Sequence, residues 1–121
     1  MVVVAERQKD QPAPPHVVFE ALAQPHRQAS RPWLILTANE QEPQILEADS
    51  PDHVVWSSIW PDQPTARIRF DILPPGPGQG SGSAIRWTLD IETPPDQSTI
   101  DGMRYRINQL INANLRYTFG G

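Results

Sequence analysis

The stretch that most limits what this chain can fold into is its last one, STIDGMRYRINQLINANLRYT, from Ser98 to Thr118. Met103, Ile107, Leu110, Ile111 and Leu115 recur at helical spacing and make one apolar stripe, with Arg104, Asn108, Gln109 and Asn112 around it. A helix carrying such a stripe needs a second apolar surface to lie on. Ser98, followed three residues later by Asp101, resembles a capping box with Asp in the Glu position, and Gly120 and Gly121 are placed to end the helix. The surface it covers must come from the strands that precede it, whose alternating faces hold most of the large aromatic residues.

A chain of 121 residues fits a single domain, residues 1–121, and a domain of this size buries roughly two thirds of the surface its unfolded chain exposes. That is enough for a core, or for a core with a hollow in it. Hydrophobic residues make up 38% of the chain, and no apolar run approaches the ~20 residues that cross a bilayer, so membrane insertion is not expected. MVVVAERQKD puts a short apolar run ahead of its charges, the reverse of a secretory leader. The expectation is a cytoplasmic protein. With no cysteine there are no disulfides, thiol nucleophiles or Cys-type metal centres to consider. A net charge of −4 and a pI near 5.2 leave no basic field of the kind nucleic acids attract. The 14 prolines gather between the periodic segments, at Pro12, Pro14 and Pro15, at Pro74, Pro75 and Pro77, and at Pro94 and Pro95.

Read in order, Val2 to Arg7 forms a first strand and Gln11 to Pro15 a break. Pro14 and Pro15 then open a helix from about His16 to Gln24, with Val18, Phe19 and Leu22 on its apolar side. Pro25 ends it. His26 to Arg31 is polar, either irregular or a short second helix, and Trp33 to Leu36 reads as an extra strand or as the buried end of that helix, with the balance toward the helix. From Pro43 onward the segments are β. Gln44 to Ala48 alternates weakly, Ser50 to Asp52 is a turn, and Val54 to Trp60 is β-rich. In that run Val54, Trp56, Ser58 and Trp60 share one face, and Val55, Ser57 and Ile59 the other. Ile68, Phe70 and Ile72 alternate with Arg67, Arg69 and Asp71; Ile85, Trp87, Leu89 and Ile91 alternate with Arg86, Thr88 and Asp90. Connections this short suit antiparallel hairpins and not parallel crossovers. The predicted class is α+β, a curved antiparallel sheet of about five to six strands wrapped around the long C-terminal helix, with a short helix near the N-terminus.

The segments PPHVVFEAL (14–22), PWL (32–34), VVWSSIW (54–60), IRFDI (68–72), IRWTL (85–89) and the closing LRYTFG (115–120) together resemble the SRPBCC superfamily, the START and birch-pollen-allergen-like helix-grip proteins. The chain looks like a short bacterial member near the polyketide cyclase/dehydrase-like branch. That resemblance implies a curved sheet gripping the last helix around a hydrophobic cavity that takes a lipid, aromatic or polyketide-like molecule. It also implies that some members are enzymes. The reduced strand count implies an open groove, or one completed by a partner subunit in a homodimer.

The candidate binding residues follow from the faces just described. Trp33, Trp56, Trp60, Phe70 and Trp87, with Leu89, form the sheet wall, and Met103, Ile107 and Ile111 the helix wall. The plain reading of any one of them is core. Their number favours a lined interior, since four Trp in a chain this small are many stiff side chains to pack solid. Tyr105 and Tyr117 are candidate polar handles or surface residues, and Arg69 and Arg86 are expected to form solvated pairs with Asp71 and Asp90. His16, His26 and His53 stand in separate segments without metal-ligand spacing, so no metal or other cofactor is expected. GPGQGSG (76–82) lacks the Lys-Ser/Thr ending of a phosphate loop and leads into a strand, which makes it a hairpin loop. Three functions remain open: a binder of an apolar small molecule, a cyclase/dehydratase-type enzyme whose catalytic residues the sequence does not name, or a protein-interaction module.

Overall fold

The computed structural model describes residues 1–26, 32–78, 80 and 82–119. Strand β1 (Val2–Gln11) is followed by helix α1 (Pro15–Ala23), strands β2 (Ile45–Asp49), β3 (His53–Ser57), β4 (Arg67–Leu73) and β5 (Ser83–Ile91), and then the C-terminal helix. The strands form one sheet in the order β1-β5-β4-β3-β2, every neighbour antiparallel. The expected α+β helix-grip architecture is therefore the one observed. Alternation explains the central strands, because Ile68, Phe70, Ile72, Ile85, Trp87, Leu89 and Ile91 are all buried while Arg67, Arg69 and Arg86 are exposed.

At the edges the sequence is less direct. β1 continues to Gln11, past Arg7, because its polar second half pairs residue for residue with β5, from Glu6 opposite Thr88 to Gln11 opposite Ser83. A register shift between Val3 and Ala5 turns Val4 onto the core. β3 stops at Ser57, and the face alternation expected through Trp60 fails there. Ser58 Oγ accepts from Trp60 N and donates to Trp60 O, both at 3.0 Å, so the chain kinks. Ile59 is consequently in the core and Trp60 is half-buried at its border. Trp33 to Leu36 forms neither helix nor strand, although Trp33 and Leu34 are buried. Residues 27–31, where a second helix was possible, lie outside those described. In the loop between β4 and β5, Gly78 (φ 79°) and Gly80 (φ 68°) take the left-handed backbone that L side chains disfavour.

The C-terminal helix begins with α2 (Gln97–Ile107), continues as a π-helical segment (Asn108–Leu115) and ends in a single turn, α3 (Arg116–Thr118). The backbone stays right-handed through both junctions, at Ile107, Asn108, Leu115 and Arg116, so it is one rod. Its N-cap is Asp96, which accepts from Thr99 N at 2.9 Å, in place of the Ser98 to Asp101 box; Asp101 instead accepts from Gln97 Nε2. Gly120 and Gly121 lie outside the described residues. Ile100, Met103, Ile107, Leu110, Ile111 and Leu115 are buried against the sheet, each contributing about 1.5–3 kcal/mol by removal from water. Residues four apart drift by about 40° per step on an α-helix. The wider i→i+5 winding carries residues four apart the other way, and Ile107, Ile111 and Leu115 are all buried along it.

Helix α1 packs on β3, β4 and β5, and the same core cluster takes in its Val18 and Leu22. Trp56 Nε1 donates to Leu22 O at 3.0 Å, satisfying a carbonyl in the last turn of α1. The segment from Trp33 to Gln44 is held against the helix by Arg106, which pairs with Glu40 and donates to Ile35 O, and against β3 by Ser57 N donating to Gln44 O. Among the described residues no helix is long and apolar enough to cross a membrane.

Candidate functional site

Eight of the residues expected to line the interior, Trp33, Trp56, Phe70, Trp87, Leu89, Met103, Ile107 and Ile111, come together in one buried cluster between sheet and helix, and Trp60 packs at its border. The two ends of that cluster differ in character. Toward β3, Trp33 stacks on Trp56 with centroids 5.9 Å apart and planes 22° apart, and Trp56 meets Phe70 edge-on at 4.7 Å and 71°. Rings there pack on rings. Toward β1, Trp87 turns its indole to the helix and donates from Nε1 to Asn108 Oδ1 at 3.2 Å.

Asn108 Oδ1 also accepts from Asn112 Nδ2 at 2.9 Å. Asn112 Oδ1 is buried and has no hydrogen-bond partner. A buried carbonyl oxygen left unpaired costs about 1–3 kcal/mol, and Asp90 Oδ1 is likewise buried without a partner among the described residues. Asn108 and Asn112 are the residues whose role the sequence reading passed over. Their signal was an i, i+4 Asn pair bordering the apolar stripe, which reads as solvated unless a donor such as Trp87 is known to face it.

By register Arg7 stands opposite Trp87 and Lys9 opposite Ile85 on the same side of the sheet. Both are exposed, and among the described residues neither side chain has a hydrogen bond or ion pair. Nearby, Arg116 Nη1 donates to Asp10 O, holding the last helical turn to β1. The Trp87–Asn108 and Asp10–Arg116 contacts thus tie the C-terminal helix to β5 and to β1.

The other candidates fall elsewhere. Tyr105 and Tyr117 are 68% and 81% exposed, on the outer side of the helix. Arg69 pairs with Asp71 at 3.0 Å as expected, but Arg86 reaches Asp71, at 3.7 Å, and not Asp90. The register explains this, since Asp71 stands directly opposite Arg86 and Asp90 opposite Arg67. His26 pairs with Glu42 at 2.8 Å and His53 with Glu47 at 3.0 Å, while His16 is exposed. Among the described residues no group of three or more His, Cys, Asp or Glu could hold a metal ion.

A curved antiparallel sheet closed over a long C-terminal helix, with α1 on the same face, is a helix-grip fold. Solved structures similar to this chain agree. The Aha1 dimer from Colwellia psychrerythraea matches with a TM-score of 0.59 at 12% identity, over 91% of this chain and 96% of that one. Ara h 8.0201 matches with a TM-score of 0.52 at 12% identity, over 97% of both chains. CalU16 from Micromonospora echinospora matches with a TM-score of 0.51 at 18% identity, over 69% of this chain and 56% of its own length, so the chain spans little more than half of that protein. Identities this low speak for the fold alone. No family model matches the chain, and a search of curated proteins finds no match.

Proposed function

We propose that this protein binds an apolar small molecule, aromatic or polyketide-like, between its sheet and its C-terminal helix, with Trp87, Leu89, Met103, Ile107 and Ile111 against it. The observation that supports the proposal is the change of partner at Trp87, whose indole N–H meets an asparagine where the other rings meet one another. Trp33, Trp56 and Phe70 close on one another, whereas Trp87 makes no ring contact among the described residues and faces an asparagine pair with an unsatisfied oxygen. An apolar wall with a few convergent polar groups is what a small-molecule site needs. The superfamily resemblance implies the same use of this interior. The cyclase/dehydratase reading asks for a titratable group here, and the groups at this contact are Trp87, Asn108 and Asn112, which do not titrate; binding is therefore the reading adopted.

Titration with N-phenylnaphthylamine, an apolar fluorophore, tests it. The expected result is saturable enhancement, with Ile107→Ala weakening the probe about tenfold while urea unfolding remains cooperative. Absence of saturable enhancement, together with no co-purified small molecule in native mass spectrometry, would overturn the proposal.

A second reading concerns assembly. The edge strand β2 exposes Ile45 and Leu46, and the similar Aha1 structure was solved as a dimer. A homodimer formed along that edge predicts a doubled mass in light scattering that Leu46→Lys returns to the monomer value. A monomeric wild type sinks it.

A further inference from the structure

We infer that Trp33 to Glu40 is a strap that opens as one piece, with Arg106 as its catch and the Trp33 ring as the plug it lifts off Trp56. Its role as the entrance to the interior rests on the binding proposal above. What sets this segment apart is how it is attached. Its backbone hydrogen bonds are internal: Ile35 N donates to Trp33 O and Glu40 N to Thr37 O, each at 3.0 Å, and Thr37 N donates to the Glu40 carboxylate at 2.9 Å. Among the described residues no backbone-to-backbone bond joins it to the rest of the protein. The bonds that do so come from side chains of the C-terminal helix, Arg106 to Glu40 and to Ile35 O, and Asn114 Nδ2 to Trp33 O at 3.4 Å. Beyond Glu40 the attachment changes. Gln41 N donates to Ile59 O and Ser57 N to Gln44 O, both backbone to backbone, which places the hinge at Gln41.

Yet this loosely tied segment carries two core residues. Trp33 and Leu34 are buried, and Trp33 stacks on Trp56 with planes 22° apart. Trp56 and Phe70 beneath it are fixed in a strand ladder. A piece of chain that buries few side chains and belongs to no ladder lies at the low end of local stability, so it opens before the sheet does. The catch suits reversible opening. In the closed form the Arg106 and Glu40 side chains are 14% and 5% exposed; when the strap lifts, water solvates both charges together and neither is left buried without its partner. Lifting uncovers a face of Trp56, next to Phe70. An apolar molecule then reaches these rings without parting the sheet from the C-terminal helix.

The chain has no cysteine, so single thiols report where it opens. Leu34→Cys puts one in the strap, and Leu89→Cys makes the same change in β5. Labelling of the full chain by dithiobisnitrobenzoate is followed in native buffer with and without Ile85→Val, which weakens the sheet two strands away from β3. Ile85→Val should speed labelling of Leu89→Cys about fivefold and leave Leu34→Cys unchanged, because the sheet is still folded when the strap is open. Arg106→Ala should speed Leu34→Cys about thirtyfold. Equal acceleration of both thiols by Ile85→Val would mean that the segment leaves only when the whole chain unfolds, and would overturn the inference. If Leu34→Cys does not fold, chymotrypsin cleavage after Trp33 in the cysteine-free chain decides by the same criterion: a rate indifferent to Ile85→Val supports the strap, and a rate that rises with it overturns it. Association of N-phenylnaphthylamine should quicken in Arg106→Ala, and binding at an unchanged rate would overturn the role as entrance. Local opening with no binding of that probe would remove the binding proposal and leave the strap standing.

Discussion

Arg106 holds Glu40 by two nitrogens, Nε to Oε2 at 2.7 Å and Nη2 to Oε1 at 2.9 Å, across 66 residues of sequence. The same guanidinium donates to Ile35 O and to Gln109 Oε1. One side chain of the C-terminal helix therefore fastens the irregular segment that carries Trp33 and Leu34 into the core. Removing it leaves the Glu40 carboxylate, whose side chain is only 5% exposed, without its cation. Arg106→Ala is expected to cost about 2 kcal/mol in urea unfolding, and Arg106→Lys to recover only part of this, because a point charge cannot reproduce the two-pronged contact. An unchanged midpoint for Arg106→Ala would show that the segment is held by its apolar residues alone.

Glu40 also gives this contact a pH signature. Burial pushes its carboxyl pKa up, but hydrogen bonds from Arg106 and from Thr37 N, with the Arg106 charge, outweigh that and leave it below its ordinary value of 4.5. A folded value below the unfolded one means the unfolded chain binds more protons. The stabilisation is then fully present above the unfolded value and is lost as pH falls through the folded one. The stability difference between wild type and Glu40→Gln should be largest near neutrality and shrink as pH drops below 4.5. Urea midpoints collected across that range check it, and a gap that widens in acid would contradict the assignment.

The helix start offers a cleaner test of a local device. Asp96 accepts from Thr99 N and Ser98 is exposed in the first turn, so the cap belongs to Asp96. Asp96→Ala should lower Tm, whereas Ser98→Ala should leave it unchanged. The reverse result would restore the Ser98 to Asp101 box.

How far the sequence could be read depended on whether the deciding interaction was periodic or local. The faces of β4 and β5 are legible because one wet residue alternates with one dry one, and the helix because its stripe runs for several turns. β1 beyond Arg7 is not, since ERQKDQ is polar throughout and becomes a strand only by pairing with β5. The Ser98 to Asp101 spacing fits a capping template, yet Asp96, just after Pro94 and Pro95, reaches the Thr99 amide first. The inversion at Ile59 depends on a single hydroxyl, Ser58 Oγ, which no two-residue period can register. The residues that gather in the buried cluster were legible as apolar faces, apart from Trp60 at its border. The asparagine line was not, because a pattern drawn at 3.6 residues per turn hides a π-helical segment and places Asn108 and Asn112 in water.

That line also bears on stability. Asn112 Oδ1 is buried without a partner among the described residues, which weakens the fold. Leu has the branched outline of Asn, though a larger volume, and no polar atom to bury. Asn108 Oδ1 keeps its bond from Trp87 Nε1 when the Asn112 amide is gone. Asn112→Leu is therefore expected to raise the stability of the protein by about 1 kcal/mol, the reverse of most substitutions at a helix facing a core. Thermal unfolding of wild type and variant side by side reads the difference. A variant less stable than wild type would mean that the oxygen is already satisfied by water.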